Sequence, residues 1–391
     1  MKRLPAIDIA RGLVMVIMAL DHTRDFLHIH AAQSPTDLTT TTPILFFTRW
    51  ITHLCAPSFV FLSGTSAWLY LRGSGTRNFL LKRGLVLILL EFTLVNFALS
   101  FDLHFRLFLF EVIATIGAGM VLLSQLSRLK PGIILAIAIV LLAGHDAIAF
   151  VKMASSPVLG FIGSLLFGPG GFPLGSGRLF VVAYPVLPWL AIMLLGFCAG
   201  PVFTRPLAAQ KRFLVRAGLT ALVLFVVLRW VNVYGDPTPW SSEKNGVYTF
   251  LSFFNVTKYP PSLLFSLVML GILLLILAIA TGRPATAGQP EARESPLSRV
   301  LLVYGRVPFF YFVLHLYLLH ALMLLVAGWQ GHPWSEFDFS PFKFGRPPGA
   351  GLSLGAVYAI WAAVVIALYP LCRWYGRYKA AHREKTWLRY L

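Results

Sequence analysis

The stretch Ile7-Asp8-Ile9-Ala10-Arg11-Gly12-Leu13-Val14-Met15-Val16-Ile17-Met18-Ala19-Leu20-Asp21-His22-Thr23-Arg24-Asp25 is apolar enough for a membrane helix, yet it carries ionisable residues along its length. Eleven positions separate Arg11 from His22. At 100° per residue that is three turns plus about 20°, so the guanidinium and the imidazole fall on one face, roughly 16 Å apart along the axis. Ionisable side chains in a membrane helix are costly unless they face a polar interior. Arg11, Asp21, His22, Arg24 and Asp25 are therefore functional candidates. Asp8 precedes Arg11 by one helical turn and can pair with it. Asp25 follows His22 by three residues, and Asp21 adjoins it. A carboxylate within reach of an imidazole fixes its tautomer and raises its basicity, as a general base requires. A lone membrane histidine more often only hydrogen-bonds a neighbouring helix. Arg11 on the same stripe and carboxylates on both sides favour a site.

The rest of the chain agrees with a membrane setting. Its 391 residues are 57% hydrophobic and 12% charged, and the mean hydropathy is +0.75, whereas soluble domains carry about 25% charged residues. Repeated long apolar runs predict an all-α, polytopic integral membrane helix bundle. The formal charge of +18 raises nucleic acid as a partner. The basic residues form short clusters between apolar runs and no contiguous basic domain, so no nucleic-acid function is expected. Such clusters suit cytoplasmic loops facing anionic lipid and an anionic ligand. Cys55, Cys198 and Cys372 lie far apart, with neither a disulfide framework nor zinc spacing. No small-residue cleavage site precedes Asp21, so the first helix is expected to be retained.

Ten spans are predicted, at about 8–28, 44–71, 84–101, 107–126, 132–151, 179–203, 214–234, 261–281, 302–327 and 353–372. Basic clusters alternate with them: Lys2 and Arg3; Arg72, Arg77, Lys82 and Arg83; Arg128 and Lys130; Arg205, Lys211, Arg212 and Arg216; Arg283, Arg293, Arg299 and Arg306; and the tail 373–391. The positive-inside rule then puts both termini in the cytoplasm. The longer connections 152–178, 235–260 and 328–352 fall on the opposite side, where they are candidates for a substrate vestibule. The Pro-rich segment 282–298 reads as a flexible cytoplasmic linker. No internal repeat and no separate soluble domain are visible, so residues 1–391 are treated as one transmembrane domain.

Further polar groups stand in or beside the apolar runs. His53 lies one helical turn from Arg49. Asn255, Thr257, Lys258 and Tyr259 crowd the start of the eighth span, before Pro260-Pro261, where a structural cap is as good an explanation as a site. His315 and His320 are five apart and do not share a helical face. Glu91, Asn96 and Glu111 are further intramembrane polar groups. His28-Ile29-His30 has no third ligand and no His-Glu-x-x-His pattern nearby, so no metal is expected.

Arg11, ten residues, then His22 resembles the first-helix signature of integral-membrane acyltransferases of the acyltransferase-3 type. The wider context Ile7-Asp8-Ile9-Ala10-Arg11-Gly12-Leu13 looks more like a related group, bacterial membrane proteins similar to the catalytic domain of heparan-α-glucosaminide N-acetyltransferase. Three further blocks are similar to that group: His53-Leu-Cys-Ala-Pro-Ser-Phe-Val-Phe-Leu-Ser-Gly64, Asn255-Val-Thr-Lys-Tyr-Pro-Pro-Ser-Leu-Leu264 and Gly305-Arg-Val-Pro-Phe-Phe-Tyr-Phe-Val-Leu-His315. Spread from the first span to the ninth, they carry the resemblance over nearly the whole chain.

The resemblance implies a multi-pass protein of the bacterial inner membrane. It would move an acetyl or short acyl group from cytosolic acetyl-CoA, or another acyl-CoA, to an extracytoplasmic acceptor, a sugar amine or hydroxyl of the cell envelope. His22 matches the catalytic histidine of the acyltransferase-3 type, with Asp21 and Asp25 beside it. The lysosomal enzyme differs there: its matching position resembles Asn and its histidine falls later, which keeps His28 and His30 as alternatives. The polyanionic nucleotide of CoA needs cations at the cytoplasmic mouth. Arg11, Arg72, Arg77, Lys82, Arg83, Lys211 and Arg212 are the candidates. The acceptor side would use His53, Arg49, Asn255, Thr257, Lys258, Tyr259 and His315, some as donors to an oxyanion. A different reading of the same buried charges is a relay in a transporter or flippase for an envelope precursor. Partners are otherwise the lipid bilayer and, in either reading, a second copy in a homodimer.

Overall fold

The structure is a computed structural model that describes residues 4–148, 156–282 and 295–390. Most of the predicted linker 282–298, with Arg283 and Arg293, lies outside the described residues, as do Lys2 and Arg3. In chain order the helices are α1 (Pro5–Leu27), α2 (Pro43–Thr52), α3 (Cys55–Arg72), α4 (Arg77–Leu90), α5 (Asn96–Ser100), α6 (Val112–Leu126), α7 (Pro131–Ile148) and α8 (Pro157–Leu166). They continue with α9 (Val186–Ala199), α10 (Leu207–Val231), α11 (Gly246–Phe254), α12 (Leu263–Ala280), α13 (Pro296–Arg306), α14 (Pro308–Trp329) and α15 (Leu354–Ala381). Seven described segments are long and apolar enough to cross a bilayer: Pro43–Arg72, Arg77–Ser100, Val186–Thr204, Leu207–Val231, Leu263–Ala280, Pro308–Trp329 and Leu354–Ala381. The charges in α1 keep it off that composition-based set, though its 23 residues give a rod of about 34 Å.

Two predicted spans are broken where proline dictates. The second splits at His53–Leu54, because the Pro57 ring crowds the carbonyl of His53 four residues back. The ninth splits at Val307, where φ −134° and ψ 47° leave the helical region; the residue before a proline, here Pro308, is disfavoured there. The starts of the fourth and sixth predicted spans are strands. Leu107–Phe110 (β1), Gly170–Gly175 (β2) and Arg178–Val182 (β3) form a sheet of order β1-β3-β2, with β1 parallel and β2 antiparallel to β3. Short apolar runs do not distinguish a strand from a buried helix. Asp102 settles the first of them by bonding the backbone N–H groups of His104 and Arg106 at 3.0 Å, which turns the chain into β1. Residues 91–95, between α4 and α5, are a π-helical turn.

Helix α1 is the central element, packed against α2, α3, α12, α13, α14 and α15. Its approach to α13 is close enough to need glycine. A Cβ on Gly305 would lie 1.8 Å from the Asp8 carbonyl oxygen, and one on Gly12 would lie 1.9 Å from that of Leu301. Such backbone crossings are the membrane mode of helix packing. At its C-terminal end α1 is held by a bridge from His28 to Leu352, just before α15.

Candidate active site

One turn from the end of α1, His22 meets His315 of α14. His22 Nδ1 and His315 Nε2 are 2.7 Å apart, and the rings stack with centroids 4.9 Å apart and 8° between planes. His315 Nδ1 lies 3.0 Å from the backbone carbonyl oxygen of Tyr311. A carbonyl only accepts, so the His315 proton sits on Nδ1 and its Nε2 is an acceptor. With both rings neutral, His22 must donate from Nδ1. Its Nε2 then keeps a lone pair, and the tautomer a general base needs is fixed by a second histidine.

His22 borders a cavity of about 1220 Å³. Glu111, Tyr184, Lys258 and Tyr259 line it, and residues of the 328–352 loop, among them His332, Lys343 and Arg346, form its rim. The short strands matter here. Glu111 directly follows β1 and Tyr184 follows β3, so the sheet delivers both to the wall. Tyr184 and Tyr259 place their hydroxyls 3.3 Å apart.

A second cavity of about 390 Å³ lies further along α1 toward its N-terminus, lined there by Arg11, Met15 and Met18. Arg11, Arg83, Arg306, Lys379 and Arg389 make its mouth, and Met15, Met18, Leu87, Ile116, Met120 and Phe312 line it further in. Arg11 bonds Asp8, the Gly305 carbonyl and the Ser66 hydroxyl at 3.2, 3.3 and 3.2 Å. Arg83 Nε is buried with no partner among the described residues. Phe312 lines this cavity and meets the dyad, its ring 6.1 Å from His22 and 5.7 Å from His315.

The helix that carries Arg11 and His22 opens a segment that matches a known sequence family. The profile of the family described as heparan-alpha-glucosaminide N-acetyltransferase, catalytic, matches residues 3–232. The chain belongs to this family. No curated protein matches it. The family assignment makes it, in general terms, a transmembrane acetyltransferase. His22 and Arg11 fall inside the matched segment, whereas His315 and the 255–259 loop lie beyond it.

Within this family member the other sequence candidates separate into groups. Asp21 and Asp25 do not bond His22 among the described residues. Asp21 takes Arg24 at 2.8 Å on one oxygen and Arg49 on the other, while Asp25 takes Arg24 at 2.7 Å. Both still line the larger cavity, as do Arg49, Lys258 and Tyr259. His28 and His30 line neither cavity; His28 Nδ1 accepts the His30 backbone N–H at 3.3 Å. Burial, then the positive charge of His30, Arg24 and Arg346, lowers the His28 pKa. His53, Asn255 and Thr257 line a third, smaller cavity beside the larger one. Asn255 donates to the Thr36 carbonyl, and Thr257 donates to Asp236, which also takes the Ser262 hydroxyl. Those two side chains brace the loop.

Of the basic candidates, Arg11 and Arg83 line the second cavity and the rest do not. Arg72 lies over the Trp68 ring at 5.3 Å. Arg77 and Lys82 are exposed on α4, and Lys211 and Arg212 on α10. Three mouth residues were not singled out as donors' partners from sequence: Arg306, Lys379 and Arg389. Each belongs to a basic cluster that topology alone explains, so nothing local marked them. His315 was singled out, but as an acceptor contact; its four-residue spacing from Tyr311 was the only trace of its bonded role.

Proposed function

We propose that this protein transfers an acetyl or short acyl group from acyl-CoA, entering at the inner cavity, to a hydroxyl or amine held in the outer one. The observation that carries this reading is His22 itself: a base-form imidazole, oriented by His315, on the wall of a large polar cavity, with a basic, apolar-throated cavity further along the same helix. The inner cavity suits the donor. Five cations match the nucleotide phosphates, the throat matches the nearly neutral pantetheine arm, and the buried unpartnered Arg83 Nε is left wanting an acceptor. Bound there, the donor would supply an activated acyl group.

The protein's part is proton handling and positioning. His22 Nε2 takes the proton of the acceptor hydroxyl or amine as that atom bonds the acyl carbon, and returns it to the departing sulfur. The imidazolium formed meanwhile keeps its Nδ1–H bond to His315. Tyr259 or Lys258 supplies the hydrogen bond to the developing oxyanion. Asp21 and Asp25 act through the arginines they hold. We further read α1, α6 and α7 as spans, which with the seven apolar segments makes ten. Both termini then lie on the cytoplasmic side, the basic mouth faces the cytosol, and the acceptor belongs to the cell envelope of a bacterial inner membrane.

Turnover of acetyl-CoA by purified protein in liposomes, wild type against His22→Ala, tests the reading. Loss of at least about a hundredfold is expected on removing a general base. Equal rates would take His22 out of the mechanism, and solute flux without acyl-CoA turnover would favour the transporter reading.

A further inference from the structure

The third cavity, of about 360 Å³, adjoins the outer one and shares Asp25, Arg49, Lys258 and Tyr259 with it. Its hydrogen-bond account does not close. Arg24, 2% exposed, spends Nη2 on Asp21 and Asp25 and leaves a buried Nε with no partner among the described residues. His53, 5% exposed, likewise has a buried Nδ1 with no partner among them. Lys258 is 8% exposed. Its ammonium lies 4.9 Å from the Tyr259 ring centroid and 5.8 Å from that of Tyr184, with no carboxylate within 4 Å among the described residues. These groups come from α1, the break between α2 and α3, and the loop before α12, so their convergence is a product of the fold.

The side cavity's own wall is mostly cationic: Arg24, Arg49 and Lys258 line it with Asp25, while Asp21 and Glu111 line the larger cavity next to it. A buried cation or donor without a counterpart is costly. An anion satisfies such donors more strongly than water does, through charge-assisted hydrogen bonds. Of the other polar lining groups, Asn255 and Thr257 spend their donors on Thr36 and Asp236.

We infer that this side cavity binds a compact anionic substituent of the acceptor, a carboxylate or a phosphate monoester, on Lys258, Arg24 and His53. The inference rests on the acyl-transfer reading only for calling the ligand an acceptor. The anion site itself stands or falls separately.

Isothermal titration of full-length protein in detergent with glucose, glucuronate and glucose 6-phosphate is the test. At least one acid should bind about tenfold or more tighter than glucose, a difference of one charge-assisted contact, and the tighter acid identifies the anion. Lys258→Gln should abolish the preference and Lys258→Arg should keep most of it. Should Lys258→Gln aggregate, His53→Gln gives the same comparison and is expected to weaken the preference. His22→Ala should leave it intact. Equal binding of all three sugars, or a preference that survives both Lys258→Gln and His53→Gln, overturns the inference. A Lys258-dependent preference in a protein without acyl-CoA turnover would overturn the transfer reading and leave the anion site standing.

Discussion

His22 and His315, 293 positions apart in the chain, join ring nitrogens across 2.7 Å between α1 and α14. The bond is directional. The Tyr311 carbonyl holds the proton on His315 Nδ1, and this dictates which nitrogen of His22 is free. Replacing His315 with Ala should therefore lower kcat for acyl transfer by about tenfold to a hundredfold with little change in KM for acyl-CoA, as expected for a lost orienting partner. His315→Gln, which retains an acceptor oxygen, should recover part of the rate. Steady-state kinetics in proteoliposomes check both, and an unchanged kcat in His315→Ala would remove the dyad from the proposed mechanism.

Phe312 lines the smaller cavity with its ring against His22, so in the proposed mechanism it shields the donor. Truncation to Ala should let water reach the donor from the outer side. Acyl-CoA hydrolysis in the absence of acceptor should rise severalfold, measured by free thiol release. A variant that transfers and hydrolyses like wild type would show that the ring is no barrier.

The inner mouth gives a comparison between two sets of cations. Arg83→Gln, Arg306→Gln and Arg389→Gln should each raise KM for acyl-CoA by about fivefold to fiftyfold, the range of a lost charged hydrogen bond. Arg77→Gln and Lys211→Gln, exposed and away from the cavity, should leave it within twofold. A uniform response across both sets would mean that bulk positive charge, and no particular cavity, gathers the donor.

At the α1–α13 crossing, Gly305→Ala places a methyl group against the Asp8 carbonyl. Overpacking of this kind costs about 1–3 kcal/mol, and the crossing also sets the position of Arg11. A lower melting temperature in detergent and a raised KM for acyl-CoA should appear together. Gly132→Ala, with nothing within 4 Å of the added carbon, is the control that should change neither.

His28 supplies a pH dependence of stability. Its folded pKa lies below the ordinary value of 6.5, through burial first and then nearby positive charge. The unfolded chain therefore binds the proton more readily. Stability from this group is full above pH 6.5 and is lost as pH falls toward the lower folded pKa. His28→Gln should narrow the drop in melting temperature between pH 8 and pH 5 relative to wild type. An identical drop in both proteins would show that His28 does not contribute.

Local sequence settled the membrane class, the first polar helix and the family resemblance. Hydropathy is a property of single segments, and the spacing of Arg11 from His22 follows from helical geometry alone. The same local logic failed where it had no leverage. Leu107–Phe110 and Arg178–Val182 are apolar runs too short to declare their period, and His53 and Val307 broke helices that hydropathy joined. The positive-inside rule explained every basic cluster equally, so it singled out neither Arg306 nor Lys379 nor Arg389. Only the tertiary structure decided that His22 is met by His315 and not by Asp21, which is turned to Arg24 and Arg49. That choice depends on how far α1 is rotated and how closely it is seated, and the Gly12 and Gly305 crossing fixes this through backbone contact with a helix almost three hundred residues away.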